Sequence, residues 1–114
     1  FSENFTKNMS SNYTIEFTLL ANEDLNSIFE YISQNLNEEQ AAKEHMREFE
    51  AKIMSLIDMP GKGSLVHNET LSALGYRKIH IKNYVVVYSV DETDLTVTIL
   101  RIFYEKSDYI SKLL

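Results

Sequence analysis

The sequence predicts an α+β domain: a mainly antiparallel β-sheet, made of an N-terminal strand and a C-terminal three-stranded meander, packed against a two-helix hairpin. Three observations predict it. Apolar side chains recur at helical spacing in two successive runs between residues 21 and 57, whereas the segments before and after them alternate with a period of two. Turn residues fall where the pattern must reverse, at Asn35 and Asn37, Pro60-Gly61, Lys82-Asn83 and Asp91 to Asp94. The strands are also segregated from the helices, which disfavours an alternating parallel sheet.

In the first strand, Tyr13, Ile15 and Phe17 alternate with Thr14, Glu16 and Thr18, the pattern of a half-buried strand. From Ala21 the period changes, and Leu25, Ile28, Phe29, Ile32 and Leu36 form the stripe of a helix. Asn22 is placed to cap it, and Glu23 and Asp24 suit the positive end of its dipole. After Glu38 and Glu39 a second stripe runs through Ala42, Met46, Phe49, Ile53, Leu56 and Ile57 until Pro60-Gly61 ends it. Residues 61 to 74 have no period and read as a loop holding His67. The meander follows as Tyr76 to Ile81, Tyr84 to Val90 and Leu95 to Tyr104. In the last ten residues Tyr109, Ile110, Leu113 and Leu114 have a helical phase, in a segment too short to hold without docking. The domain therefore spans 13 to 114. Residues 1 to 12 read as a flexible tail in which Met9 is a candidate natural start, leaving residues 1 to 8 foreign to the protein.

A chain of 114 residues and 13.3 kDa buries about two thirds of its unfolded surface and supports one modest core. No apolar run approaches the roughly 18 residues of a membrane span, the N-terminus lacks the features of a signal peptide, and there is no cysteine. A cytoplasmic protein without membrane partners is expected. The net charge of −6 argues against coating nucleic acid through bulk charge. That charge is divided unevenly. Residues 1 to 60 carry four basic and eleven acidic side chains, a balance of −7, while residues 61 to 114 carry seven and six, a balance of +1. The second half is thus the candidate surface for an anionic partner.

Glycine-rich phosphate loops, His-Glu-x-x-His, Gly-x-Ser-x-Gly and cysteine are all absent, which removes the usual signatures of nucleotide, zinc and nucleophilic chemistry. His45, His67 and His80 are too scattered to suggest a metal site, so neither metal nor cofactor is expected. Asp24, Glu44 and Glu48 fall on polar helix faces and read as solvated. In the strand from Tyr76, alternation places Tyr76, Lys78, His80 and Lys82 opposite Arg77, Ile79 and Ile81. The first set suits acid/base work or phosphate binding. A solvated strand face is the plainer reading of the same residues. In the last strand Leu95, Val97 and Ile99 share a face with Arg101, opposite Leu100, Ile102 and Tyr104. Arg101 among apolar neighbours needs water or a carboxylate, and Asp108 is a plausible partner. Tyr84 and Tyr88 share a face as packing residues with polar tips.

Four segments together resemble the RelE/ParE superfamily, the toxin half of bacterial type II toxin-antitoxin systems. They are Ala21-Asn-Glu-Asp-Leu25 with Ile28 and Tyr31-Ile32; Leu56-Ile-Asp-Met-Pro60-Gly-Lys-Gly63; Gly75-Tyr-Arg-Lys-Ile79 running to Tyr84-Val-Val-Val-Tyr88; and Ile99-Leu-Arg-Ile-Phe-Tyr104 with Asp108-Tyr109. The likeness covers residues 13 to 112. It implies growth arrest held in check by a cognate antitoxin.

The superfamily has two activities. RelE-like members cut ribosome-bound messenger RNA and need a base, an acid and cations around the reacting phosphate; ParE-like members inhibit DNA gyrase. RelE-like nucleases carry an arginine after the glycine-tyrosine of the middle strand and a lysine-arginine pair after the last one. Here Val85 follows Tyr84, and Phe103, Tyr104 and Glu105 stand where the pair is expected. The resemblance is therefore closer to the ParE side, with gyrase as the favoured target. There Arg77, Lys106, Asp108 and Tyr109 are the residues expected to bind target or antitoxin. The alternative is a ribosome-dependent endoribonuclease with His80, Arg101, Tyr104, Lys78 and Lys82 as its catalytic set. A third possibility is an inactive or repurposed binding module.

Overall fold

The computed structural model describes residues 4–6, 13–36 and 39–114. In chain order the elements are β1 (Asn4–Thr6), β2 (Thr14–Phe17), α1 (Leu19–Leu36), α2 (Glu39–Met54), β3 (Ser64–Leu65), α3 (Glu69–Ala73), β4 (Arg77–Ile81), β5 (Tyr84–Asp91), β6 (Thr96–Tyr104) and α4 (Tyr109–Leu113). Single 3-10 turns at Ser55–Ile57 and Pro60–Lys62 follow α2. Among the described residues the strands form one sheet in the order β1-β2-β6-β5-β4-β3. Its pairings are antiparallel except that of β2 with β6, which aligns Ile15 with Val97 and Phe17 with Ile99. The α+β fold, with a mostly antiparallel sheet against a helical hairpin, is as the sequence predicts. Part of the expected tail, Asn4–Thr6, pairs with β2, and the rest of residues 1 to 12 lies outside the described residues.

The start of α1 differs from expectation. It begins at Leu19, and the cap is Thr18, whose hydroxyl accepts from the Ala21 N–H at 3.0 Å while donating to the Leu100 carbonyl at 2.8 Å. Asn22 lies inside the first turn, and its N–H donates to the Thr18 carbonyl. One threonine thus caps the helix and ties it to the sheet.

Residues 61 to 74 hold more order than a loop. Ser64 and Leu65 pair with Lys78 and Arg77, and Asn68 caps α3 by accepting from the Leu71 N–H at 3.0 Å. His67 does lie between elements, exposed.

The hairpin covers one face of the sheet. Leu25, Ile28 and Ile32 of α1 and Ala42, Phe49 and Ile53 of α2 are buried against Ile79, Ile81, Val86, Tyr88, Val97, Ile99 and Ile102. The Tyr88 side chain is fully buried, and its hydroxyl accepts from the Gly63 N–H (2.9 Å) and donates to the Pro60 carbonyl (2.8 Å), which locks the hairpin exit onto β5. A smaller cluster fills the reverse face, where Val66, Leu71, Val85, Val87 and Phe103 are covered by Tyr109, Ile110 and Leu113 of α4. Docking, not intrinsic propensity, holds this five-residue helix.

Strict alternation fails in β6. A bulge opposite Val87 and Tyr88 pairs Arg101 with Val87 but Ile99 with Tyr88, leaving Leu100 as the extra residue. Ile99 and Ile102 therefore share the hairpin face, while Leu100 joins Phe103 on the reverse. Arg101 does not share the face of Ile99, as a regular strand would require.

Candidate functional site

β2 ends opposite Ile99, so among the described residues β6 has no strand on that side from Leu100 onward. The start of α1 fills the gap. Thr18 satisfies the Leu100 carbonyl, and the Asp24 carboxylate accepts from the Ile102 N–H at 2.9 Å. The same carboxylate receives the Arg101 guanidinium through Nε at 2.8 Å and Nη2 at 3.0 Å. Asp24, expected to be solvated, is mostly shielded, and it takes the place proposed for Asp108 as the partner of Arg101. Its hydrogen bond raises the Arg101 pKa, against the opposing effect of burial, with the charges of Asp24 and Glu23 adding to the rise.

This junction floors an open groove of about 740 Å³ between α1 and the end of the sheet. α1 contributes Asp24, Ser27, Ile28 and Tyr31; β5 and β6 contribute Tyr84 and Arg101 to Tyr104; Lys112 closes it from α4. Tyr31 and Tyr104 are largely exposed, at 60% and 47%, and flank the half-buried Tyr84. The Tyr84 and Tyr104 rings meet edge to face at 6.0 Å. Burial raises the Tyr84 pKa, and the neighbouring phenols of Tyr31 and Tyr104 raise it further, so its hydroxyl is a neutral donor at physiological pH.

The five residues of the candidate nuclease set do not converge on one free cluster. Arg101 and Tyr104 line the groove, but His80 sits on β4, where its Nδ1 lies 3.4 Å from Glu105 Oε2. Lys82, in the β4–β5 turn with a φ of 53°, reaches back to Glu48 of α2 at 3.4 Å. Lys78 is half-buried in register with Val87. Arg101, His80 and Lys82 thus each face a carboxylate. Of the binding residues, Arg77 donates to the Gly63 carbonyl at 2.6 Å and braces the hairpin exit, and Tyr109 stacks on Phe103 with centroids 5.8 Å apart. Asp108 accepts from the Ser111 hydroxyl at 2.8 Å, and Lys106 is exposed.

Asp24, Tyr31, Tyr84 and Lys112 join the site without having been singled out for it. Tyr31 carried a signal: an aromatic beside the apolar stripe of Leu25, Ile28 and Ile32, where a solvated helix face has no need of one. The Asp24–Arg101 pair spans 77 residues, and no local pattern announces it. Among the described residues no three His, Cys, Asp or Glu side chains assemble as a metal site, and no helix is long and apolar enough to cross a membrane.

A family model described as the ParE toxin of the type II toxin-antitoxin system parDE matches residues 15–109. No curated protein matches the chain. Among solved structures the chain is similar to the chromosomal ParDE toxin-antitoxin system from P. aeruginosa, at 19% identity and a TM-score of 0.63, over 86% of this chain and 98% of that one. It is also similar to the toxin-antitoxin complex RelBE2 from Mycobacterium tuberculosis, at 24% identity and a TM-score of 0.56, over 81% and 96% of the two chains. At these identities the two structures establish the shared fold.

Proposed function

The chain belongs to the ParE toxin family of type II toxin-antitoxin systems, and from that premise we propose that it arrests growth by binding DNA gyrase and is neutralised by a cognate antitoxin. The observation that favours binding over cleavage is the pairing of its cations. Cleavage of RNA through the 2′-hydroxyl needs a base, an acid and positive charge held free around one phosphate. Arg101 is instead engaged by Asp24 and Lys82 by Glu48, and both His80 and Lys82 lie outside the groove that holds Arg101 and Tyr104. An excess of acid over the whole chain further disfavours a ribosomal RNA surface. The antitoxin is supported by the family and by the ParDE and RelBE2 assemblies that share the fold.

Ribosome-dependent cleavage is the second reading, supported by Arg101 and Tyr104 lining one open groove. Expression under tight control separates the two. Double-strand DNA breaks and induced DNA repair with intact messages are expected; message cleavage within codons with undamaged DNA would favour the nuclease. Growth arrest with neither effect would reject both mechanisms and leave the family assignment standing.

A further inference from the structure

We propose that Tyr84 and Tyr104 form an oxidative modification site: one-electron oxidants couple the two rings through a carbon–carbon bond, giving an intramolecular dityrosine that ties β5 to β6 at the mouth of the groove.

The composition directs the oxidation. Thiol, indole and phenol are the side chains that give up a single electron most readily, and the chain has no cysteine and no tryptophan, so its seven tyrosines are what remains. Position then separates the tyrosines. Tyr88 is fully buried with its hydroxyl held between Gly63 and Pro60, and Tyr109 stacks on Phe103, a ring without a hydroxyl. Tyr84 and Tyr104 stand directly opposite each other in the β5–β6 ladder, with ring centroids 6.0 Å apart and planes at 72°. Side chains opposed in this way share one face of the sheet with their Cβ atoms close. Just beyond the pair the Glu105 N–H donates to the Asn83 carbonyl at 2.9 Å, which keeps that end of the ladder in register. Tyr104 is exposed and meets the oxidant, while the Tyr84 ring, half-buried, is held 5.6 Å from that of Phe49.

The coupling balances without help from the protein. Each phenol loses one electron to the oxidant and its hydroxyl proton to water, leaving a phenoxyl radical whose spin is shared with the Cε carbons beside the oxygen. A Cε–Cε bond joins the two radicals, and the hydrogen on each joined carbon moves to the oxygen of its own ring. Two phenols are restored. The product is two hydrogen atoms lighter, and the oxidant has taken two electrons. Free tyrosyl radicals must meet by diffusion, whereas the ladder holds this pair as neighbours and raises their effective concentration.

The test exposes the intact chain, at low concentration, to light with tris(bipyridyl)ruthenium and persulfate. Monomer is separated from cross-linked dimer, and its dityrosine fluorescence and tryptic peptides are read. Trypsin cuts after Lys82, Arg101 and Lys106, so the proposed bond joins peptide 83–101 to peptide 102–106, and fragmentation should place it at Tyr84 and Tyr104. Tyr84→Phe and Tyr104→Phe, each of which keeps the ring, should abolish the monomer signal, whereas Tyr31→Phe should leave it. Unfolding in urea before illumination should remove most of it. Dityrosine confined to the dimer, a monomer link made by Tyr31 or Tyr88, a signal that survives in Tyr84→Phe or Tyr104→Phe, or an equal yield in urea would each overturn the proposal. Neither gyrase nor an antitoxin takes part in this assay, so its outcome is independent of the proposed target and partner.

Discussion

At the free end of β6, Asp24 accepts from two guanidinium N–H groups and one backbone amide, so its replacement strands three donors at a partly dry junction. Asp24→Asn keeps the shape but loses the charge and one acceptor. It is expected to lower the unfolding free energy by about 1.5–3 kcal/mol, read as a lower urea midpoint with an unchanged slope. On the alkaline side the controlling groups are Tyr84 and Tyr88, whose pKa values burial lifts above the ordinary 10.0. Each stays protonated in the folded chain at a pH where the unfolded chain has lost the proton, so stability is full below pH 10 and declines as pH rises through the folded values. In a spectrophotometric titration Tyr84 and Tyr88 should give their phenolate absorbance above pH 10. Tyr88→Phe should remove one of them and, by leaving the buried Gly63 N–H without its acceptor, cost about 1–3 kcal/mol in urea unfolding.

Among the elements, those long enough to show a period were legible in the sequence: both helices of the hairpin, β2, and the strands of the meander. What escaped was short or non-local. Two-residue β3 has no period, five-residue α3 depends on its Asn68 cap, and the bulge at Leu100 is set by pairing with β5. The Asp24–Arg101 contact needs β2 and β6 already side by side. Two substitutions probe these elements. A Cβ on Gly63 would lie 2.6 Å from the Tyr88 hydroxyl and 3.0 Å from Ile79 Cγ2, and would press on the Lys78 backbone carbonyl. Gly63→Ala is therefore expected to destabilise the fold by at least about 2 kcal/mol, seen as a lower urea midpoint, although the backbone there is ordinary extended chain. Tyr109→Ala removes the ring stacked on Phe103 and should release α4 while the hairpin core stays intact. Hydrogen exchange is expected to speed up in residues 109 to 114 and to stay slow in β5.

For the whole molecule, the charge division seen in the sequence takes on a spatial meaning. Eleven of the seventeen acidic side chains fall in residues 1 to 60, and two of them, Asp24 of α1 and Glu48 of α2, reach Arg101 and Lys82 of the sheet half. Arg101 and Lys82 are each held by a carboxylate of the hairpin, and His80 lies beside Glu105. The central claim, gyrase inhibition by a ParE family member, is tested most directly by adding the purified chain to purified DNA gyrase and relaxed plasmid. The account predicts that supercoiling falls with toxin concentration, with cleaved DNA accumulating as covalent gyrase complexes. Undiminished supercoiling by a folded chain that still arrests growth in cells would contradict it.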